Sequence, residues 1–151
     1  MTNLLLAVIY LAFISLGLPD GLLGSAWPTM SGDLHAPLSR AGGISMTISA
    51  GTIISALLSD RLTLRFGAGR VTAFSVALTA AALMGFSFAP NYWVLIVCAI
   101  PYGLGAGGVD AALNNYVALH YRATHMNFLH CAYGVGITVS PFLMSIALTD
   151  G

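Results

Sequence analysis

The sequence predicts an all-α polytopic membrane protein with about five transmembrane helices, and three observations carry that prediction. Mean hydropathy is +0.88. Only 7% of the 151 residues are charged, against about a quarter in ordinary soluble domains. Five stretches, at about 3–30, 41–59, 71–89, 92–119 and 127–148, reach the roughly 20 apolar residues that a bilayer crossing needs. The connections between them are short, so consecutive helices are expected to be antiparallel neighbours in one bundle, with no room for a soluble domain. There is no Lys and no Glu, and the formal net charge is zero. That composition excludes nucleic-acid binding and a polybasic lipid-surface patch.

The first helix raises the question of a secretory signal peptide over 4–18. It lacks a basic leading region and a small-residue cleavage site, and apolar sequence resumes after Asp20, so a retained helix is expected. Pro19-Asp20-Gly21 is expected to interrupt it, because proline removes a backbone donor and bends a helix interior. Asp20 falls roughly 24 Å along the helix at 1.5 Å per residue, past the midplane. An ionisable group there costs at least about 2.5 kcal/mol on insertion scales, which makes it a functional candidate. The alternative, a loop ending helix one at Pro-Asp-Gly, conflicts with the apolar run 21–30 and with a second aqueous segment at 31–39 that holds Asp33 and His35. Trp27, beyond Asp20, is read either as an interfacial anchor or as a stacking face for a sugar ring. Tyr92 and Trp93 read as belt residues.

The second and third helices flank a charge cluster, with Asp60, Arg61, Arg65 and Arg70 in 12 consecutive positions of a chain that has few charges. Arg122, between helices four and five, lies on the same side, and only Arg40 lies on the other. Positive residues mark the cytoplasmic side, so the amino terminus is expected inside and the carboxyl terminus outside. The fourth helix carries Gly103, Gly107, Asp110 and Asn114 at steps of four, three and four, which share one helix face. Small residues there allow close helix approach, while Asp110 and Asn114 supply either a proton or ligand contact in the seam or a structural interhelical hydrogen bond; Asn115 lies round the helix from that face. Residues 103–108 also fit G-x-G-x-x-G, but the dinucleotide fingerprint needs a preceding strand and a later acidic residue, so these glycines are read as packing residues.

Evenly spaced His120, His125 and His130 invite a metal reading. A step of five turns a helix about 500°, leaving neighbouring imidazoles about 140° apart, so they cannot share one ion. His120 and His125 are expected in the loop beside Arg122. His130, about one turn into helix five with Tyr133 near it, is read either as a buried structural histidine or as a group that faces a central cavity. Cys98 and Cys131 are expected as buried thiols. No cofactor is implied, and no nucleophile and base can be assembled into an enzyme site.

The run Ser55-Ala56-Leu57-Leu58-Ser59-Asp60-Arg61 followed by Arg65-Phe66-Gly67-Ala68-Gly69-Arg70 resembles the G-x-x-x-D-R-x-x-G-R-[KR] loop signature of the major facilitator superfamily, with Ala56 in place of the usual first glycine. The resemblance implies a partial amino-terminal bundle of that family's two six-helix bundles, with Asp60, Arg61, Gly67 and Arg70 tying the helix two to three loop to neighbouring helix ends. Within the superfamily, the runs 16–21, 105–115 and 127–136 look like the fucose-permease-type sugar/proton symporters. That branch implies a substrate carboxylate at Asp20 and a proton-coupling carboxylate at Asp110, where the permeases carry Glu. Asn114 and His130 would line the cavity, and on the separate stacking reading Trp27 would be a further substrate contact. Alternating access would supply the mechanism. The drug/proton antiporters are the competing branch, but their G-x4-G-P-x-x-G-G on helix five is met here by 136–141 with Ser140 at the second glycine. All 151 residues resemble the amino-terminal half, so a second polypeptide or self-association is expected to complete a transporter of small solutes and protons in the inner (plasma) membrane. A non-transporting assembly partner is the reading from another class.

Overall fold

The computed structural model describes residues 2–149, with side chains from residue 4. It contains five long helices, α1 (Thr2–Asp33), α2 (Ala41–Phe66), α3 (Ala68–Ser87), α4 (Tyr92–His120) and α5 (Ala123–Thr149), with one 3-10 turn at Leu38–Arg40 and no strand among the described residues. All five are long and apolar enough to cross a membrane.

Helix ends follow from local chemistry. At the end of α1, the Ala36 N–H donates to Ser31 O at 2.9 Å and the His35 N–H to Gly32 O at 3.2 Å, and His35 has φ 47°. This paired cap usually places glycine at the left-handed position. At the start of α4, Asn91 Oδ1 accepts the Val94 N–H at 3.1 Å, satisfying a donor that the first helical turn leaves orphaned.

Two expectations are corrected. The aqueous loop expected between 59 and 71 is a single residue, Gly67, at φ 84° and ψ 148°. Its N–H ends the α2 ladder on Thr63 O at 2.9 Å, and its carbonyl starts the α3 ladder by accepting the Val71 N–H at 3.2 Å. Charged side chains do not prevent a helix from continuing into water, so α2 carries Asp60, Arg61 and Arg65 on its final turns while Arg70 opens α3. Nor does Pro19-Asp20-Gly21 break α1, which runs unbroken through both Pro19 and Pro28. Neighbouring helices allow proline inside a membrane helix, and beside Pro19 the two helices are joined by Ser140 Oγ of α5, which donates to Leu18 O at 2.6 Å.

The two turn positions make opposite stability predictions. Gly67→Ala is expected to cost about 1–3 kcal/mol, since that backbone region is essentially restricted to glycine. His35→Gly is expected to stabilise by about 1 kcal/mol by relieving the left-handed penalty of a side chain. Thermal unfolding of each variant in detergent checks both signs.

The chain divides into two compact units, residues up to Met30 with those from Val117 onward, and Ser31–Tyr116. In the first, contacts between α1 and α5 advance together along both helices. Tyr10 meets His125 and Phe128, Phe13 meets His130, Gly17 meets Tyr133, and Gly21 meets Ser140, so the two helices run parallel. The crossing is built from small residues four apart on each side, Gly17 with Gly21 and Gly136 with Ser140, a spacing that lets backbones touch. A Cβ at Gly17 would overlap the Tyr133 carbonyl oxygen, one at Gly136 would overlap the Ile14 carbonyl oxygen, and one at Gly21 would come 2.8 Å from Ser140 Cβ.

In the second unit, α4 is wedged between α2 and α3. Gly103 and Gly107 lie against Ile48 and Thr52 of α2, whereas Gly105 and Gly108 lie against Thr79 and Ser75 of α3. Thr52 Oγ1 reaches across to Gly103 O at 3.3 Å. Contacts rise together for α2 with α4 and run oppositely for α3, so α4 is parallel to the first and antiparallel to the second. This wedge accounts for the glycine run that imitates a nucleotide fingerprint: alternate glycines serve two different neighbours. The matching stripes are Gly51, Ser55 and Ser59 on α2 and Ser75 and Thr79 on α3, all buried.

Candidate functional site

Asp20 projects from α1 as an exposed carboxylate in the turn after Gly17. The phenol of Tyr133 on α5 donates to its Oδ2 at 2.7 Å. A charged acceptor makes such a bond roughly twice as strong as a neutral pair. The glycine seam fixes how far the phenol must reach, because Gly17 and Gly136 hold the two backbones in contact on either side of this pair. His130, also exposed, lies three residues before Tyr133 on the neighbouring α5 turn, with its ring edge-on to Phe13 at 6.4 Å between centroids. The first unit thus pairs Asp20 with Tyr133, while His130 sits one turn earlier on α5 beside Phe13.

Trp27 is buried, at 4% exposure. Its indole is packed inside the protein in this conformation. His125 changes place. It belongs to α5 rather than to a loop, and its Nδ1 lies 2.8 Å from the Tyr10 hydroxyl of α1. His120 ends α4 as expected of a terminal group. Cys98 is half-buried and Cys131 exposed, so the expectation of two buried thiols fails for the second.

In the second unit, Asp110 and Asn114 form one pair on α4, both half-buried. Asn114 Nδ2 donates to Asp110 Oδ1 at 3.0 Å, the contact that an i, i+4 spacing allows. Asn114 Oδ1 is buried with no hydrogen-bond partner. An amide turned over would present that acceptor in place of the NH2 group, so the pair is matched to a carboxylate in one orientation and to a carboxylic acid in the other. Asp60, Arg61, Gly67 and Arg70 are all exposed around the α2–α3 junction. Among the described residues no group of three or more His, Cys, Asp or Glu is arranged to hold a metal ion.

Sequence reasoning missed Tyr133 as the partner of Asp20. The two are 113 residues apart, and no local spacing joins them. The usable signal was the matched small-residue pairs, Gly17/Gly21 and Gly136/Ser140, which predict where α1 and α5 touch and hence which side chains flank the contact.

The family model described as Major Facilitator Superfamily matches residues 9–151. Among curated relatives, the chain is 26% identical over 136 residues to bypass of stop codon protein 6 of Saccharomyces cerevisiae, covering 88% of this chain and 27% of that protein. It is 25% identical over 130 residues to human synaptic vesicle glycoprotein 2B, covering 83% of this chain and 19% of that one. An uncharacterized transporter, y4wD, of Sinorhizobium fredii is 24% identical over 124 residues, with 78% of this chain and 33% of the relative covered. The chain therefore spans a third or less of the length of these relatives. No solved structure matches.

Proposed function

The chain belongs to the major facilitator superfamily, and from that premise we propose that it forms part of a secondary active transporter, taking up a sugar or similar small polar solute together with a proton by alternating access. The observation that carries the reading is the pair of carboxylates, Asp20 and Asp110, inside helices long and apolar enough to cross a membrane, each hydrogen-bonded by a neutral side chain. Intramembrane carboxylates are expensive to insert and mark substrate and proton pathways.

In this reading Asp20 accepts substrate hydroxyls, with His130 one turn before Tyr133 on α5. Asp110 takes the proton and Asn114 lines the cavity. Asn114 serves both charge states of Asp110, donating through Nδ2 to the carboxylate and accepting through Oδ1 from the acid. Proton binding removes the charge on Asp110 and substrate hydroxyls satisfy Asp20, and the protein then changes state to release both on the other side. Asp60, Arg61, Gly67 and Arg70 form the gate at the α2–α3 junction, where a one-residue connection passes movement of one helix directly to the next. The remaining walls of the site come from helices beyond these five, in the same polypeptide or another. In this reading the amino terminus lies in the cytoplasm and the described end of α5 outside, which the arginine distribution supports.

Vesicles that hold the chain within its complete transporter and are loaded with a pH-sensitive dye test the reading against a panel of hexoses and deoxyhexoses. Sugar-dependent internal acidification is expected. Folded protein that neither acidifies the lumen nor changes its tryptophan fluorescence with any sugar would favour the non-transporting assembly partner.

A further inference from the structure

We propose that Tyr133 is a positioning residue for the Asp20 carboxylate, holding Oδ2 so that the exposed carboxylate is presented in one fixed orientation to a substrate hydroxyl. The inference rests on the reading of Asp20 as the substrate carboxylate, and it adds a residue that neither the family resemblance nor any relative assigns.

The phenol reaches from a different helix and bonds Oδ2 at 2.7 Å. Three features make it a fixture of the site. An aspartate inside a helix has about two χ1 wells readily open to it, and a donor anchored on a second helix selects one. The anchor cannot drift, because the α1–α5 crossing is in backbone contact at Gly17 and Gly136 and is tied again by Ser140 Oγ on Leu18 O at 2.6 Å. Asp20 is exposed, so a ligand can reach the carboxylate that the phenol orients. A pre-oriented acceptor lowers the ordering cost of binding. The chemistry selects neutral hydroxylated or cationic donors and repels anions.

The test uses the full 151-residue chain in nanodiscs with 13C-labelled aspartate. The carboxylate stretching band of Asp20 is the one that disappears in Asp20→Asn. Tyr133→Phe keeps the ring and removes only the donor, so it is expected to shift that band. Ser140→Ala removes the other hydroxyl of the seam without touching the carboxylate and is expected to leave the band in place. Titration with L-fucose and D-galactose is expected to show about tenfold weaker binding in Tyr133→Phe, the loss that corresponds to about 1.4 kcal/mol. An unshifted band in Tyr133→Phe overturns the proposal. An equal shift in Ser140→Ala also overturns it, because the cause would then be loosening of the seam. A band shift confined to Tyr133→Phe, with neither sugar bound by the unaltered chain, upholds the positioning role and counts against the sugar reading.

Discussion

Asp110→Asn is expected to abolish sugar-dependent acidification in vesicles while leaving sugar exchange down no gradient within a few-fold of the unaltered protein. Asparagine matches the carboxylate in shape and still accepts from Asn114 Nδ2 through its own oxygen, so the α4 pair that spans 3.0 Å survives. What is lost is the ability to bind a proton, and with it the charge change that links proton entry to closure. A ligand shifts a conformational equilibrium only as far as its binding differs between the two states; a residue that never titrates contributes no such difference. Dye acidification and radiolabelled counterflow, measured on the same vesicles, separate the two effects. Intact acidification in the variant would remove Asp110 from the proton path. Loss of both signals would assign it to substrate binding instead.

The contrast between Asp110 and Asp20 also shows which parts of this protein were readable in the sequence. Five helices were legible because apolar runs of bilayer-spanning length, in so weakly charged a chain, find their matching solvent in lipid. The Asp110–Asn114 pair was legible because both members lie on one helix at a fixed rotation. The ends of α2 and α3 were not, since charge marks where the bilayer stops rather than where a helix stops. Asp60, Arg61 and Arg65 simply ride on helical turns up to Gly67. Pro19 misled for a related reason. Proline's local cost was visible, whereas the packing of α5 along this stretch of α1 is a tertiary effect. The Asp20–Tyr133 bond was illegible because it depends on a crossing, and a crossing is set by pairs of small residues whose partners the sequence does not name.

That crossing yields the largest expected effect on stability. Gly136→Leu places a Cβ where the Ile14 carbonyl oxygen already sits, and that oxygen belongs to the backbone of α1, so no rotamer change relieves the overlap. The helices must separate. Overpacking of this kind costs about 1–3 kcal/mol. Separation also lengthens the bonds of Tyr133 to Asp20 and Ser140 to Leu18, now 2.7 and 2.6 Å. Each lost bond adds about 1 kcal/mol, so the expected destabilisation is about 3–5 kcal/mol in all. Gly134, two residues earlier on the same helix, has nothing within 4 Å of its Cβ position. There Gly134→Ala is expected to stabilise α5 by about 0.8–1 kcal/mol through helix propensity alone. Thermal unfolding of the two variants side by side therefore reads the seam directly: opposite signs locate the contact at Gly136, while similar tolerance at both positions would leave Asp20 and Tyr133 without the scaffold that holds them together.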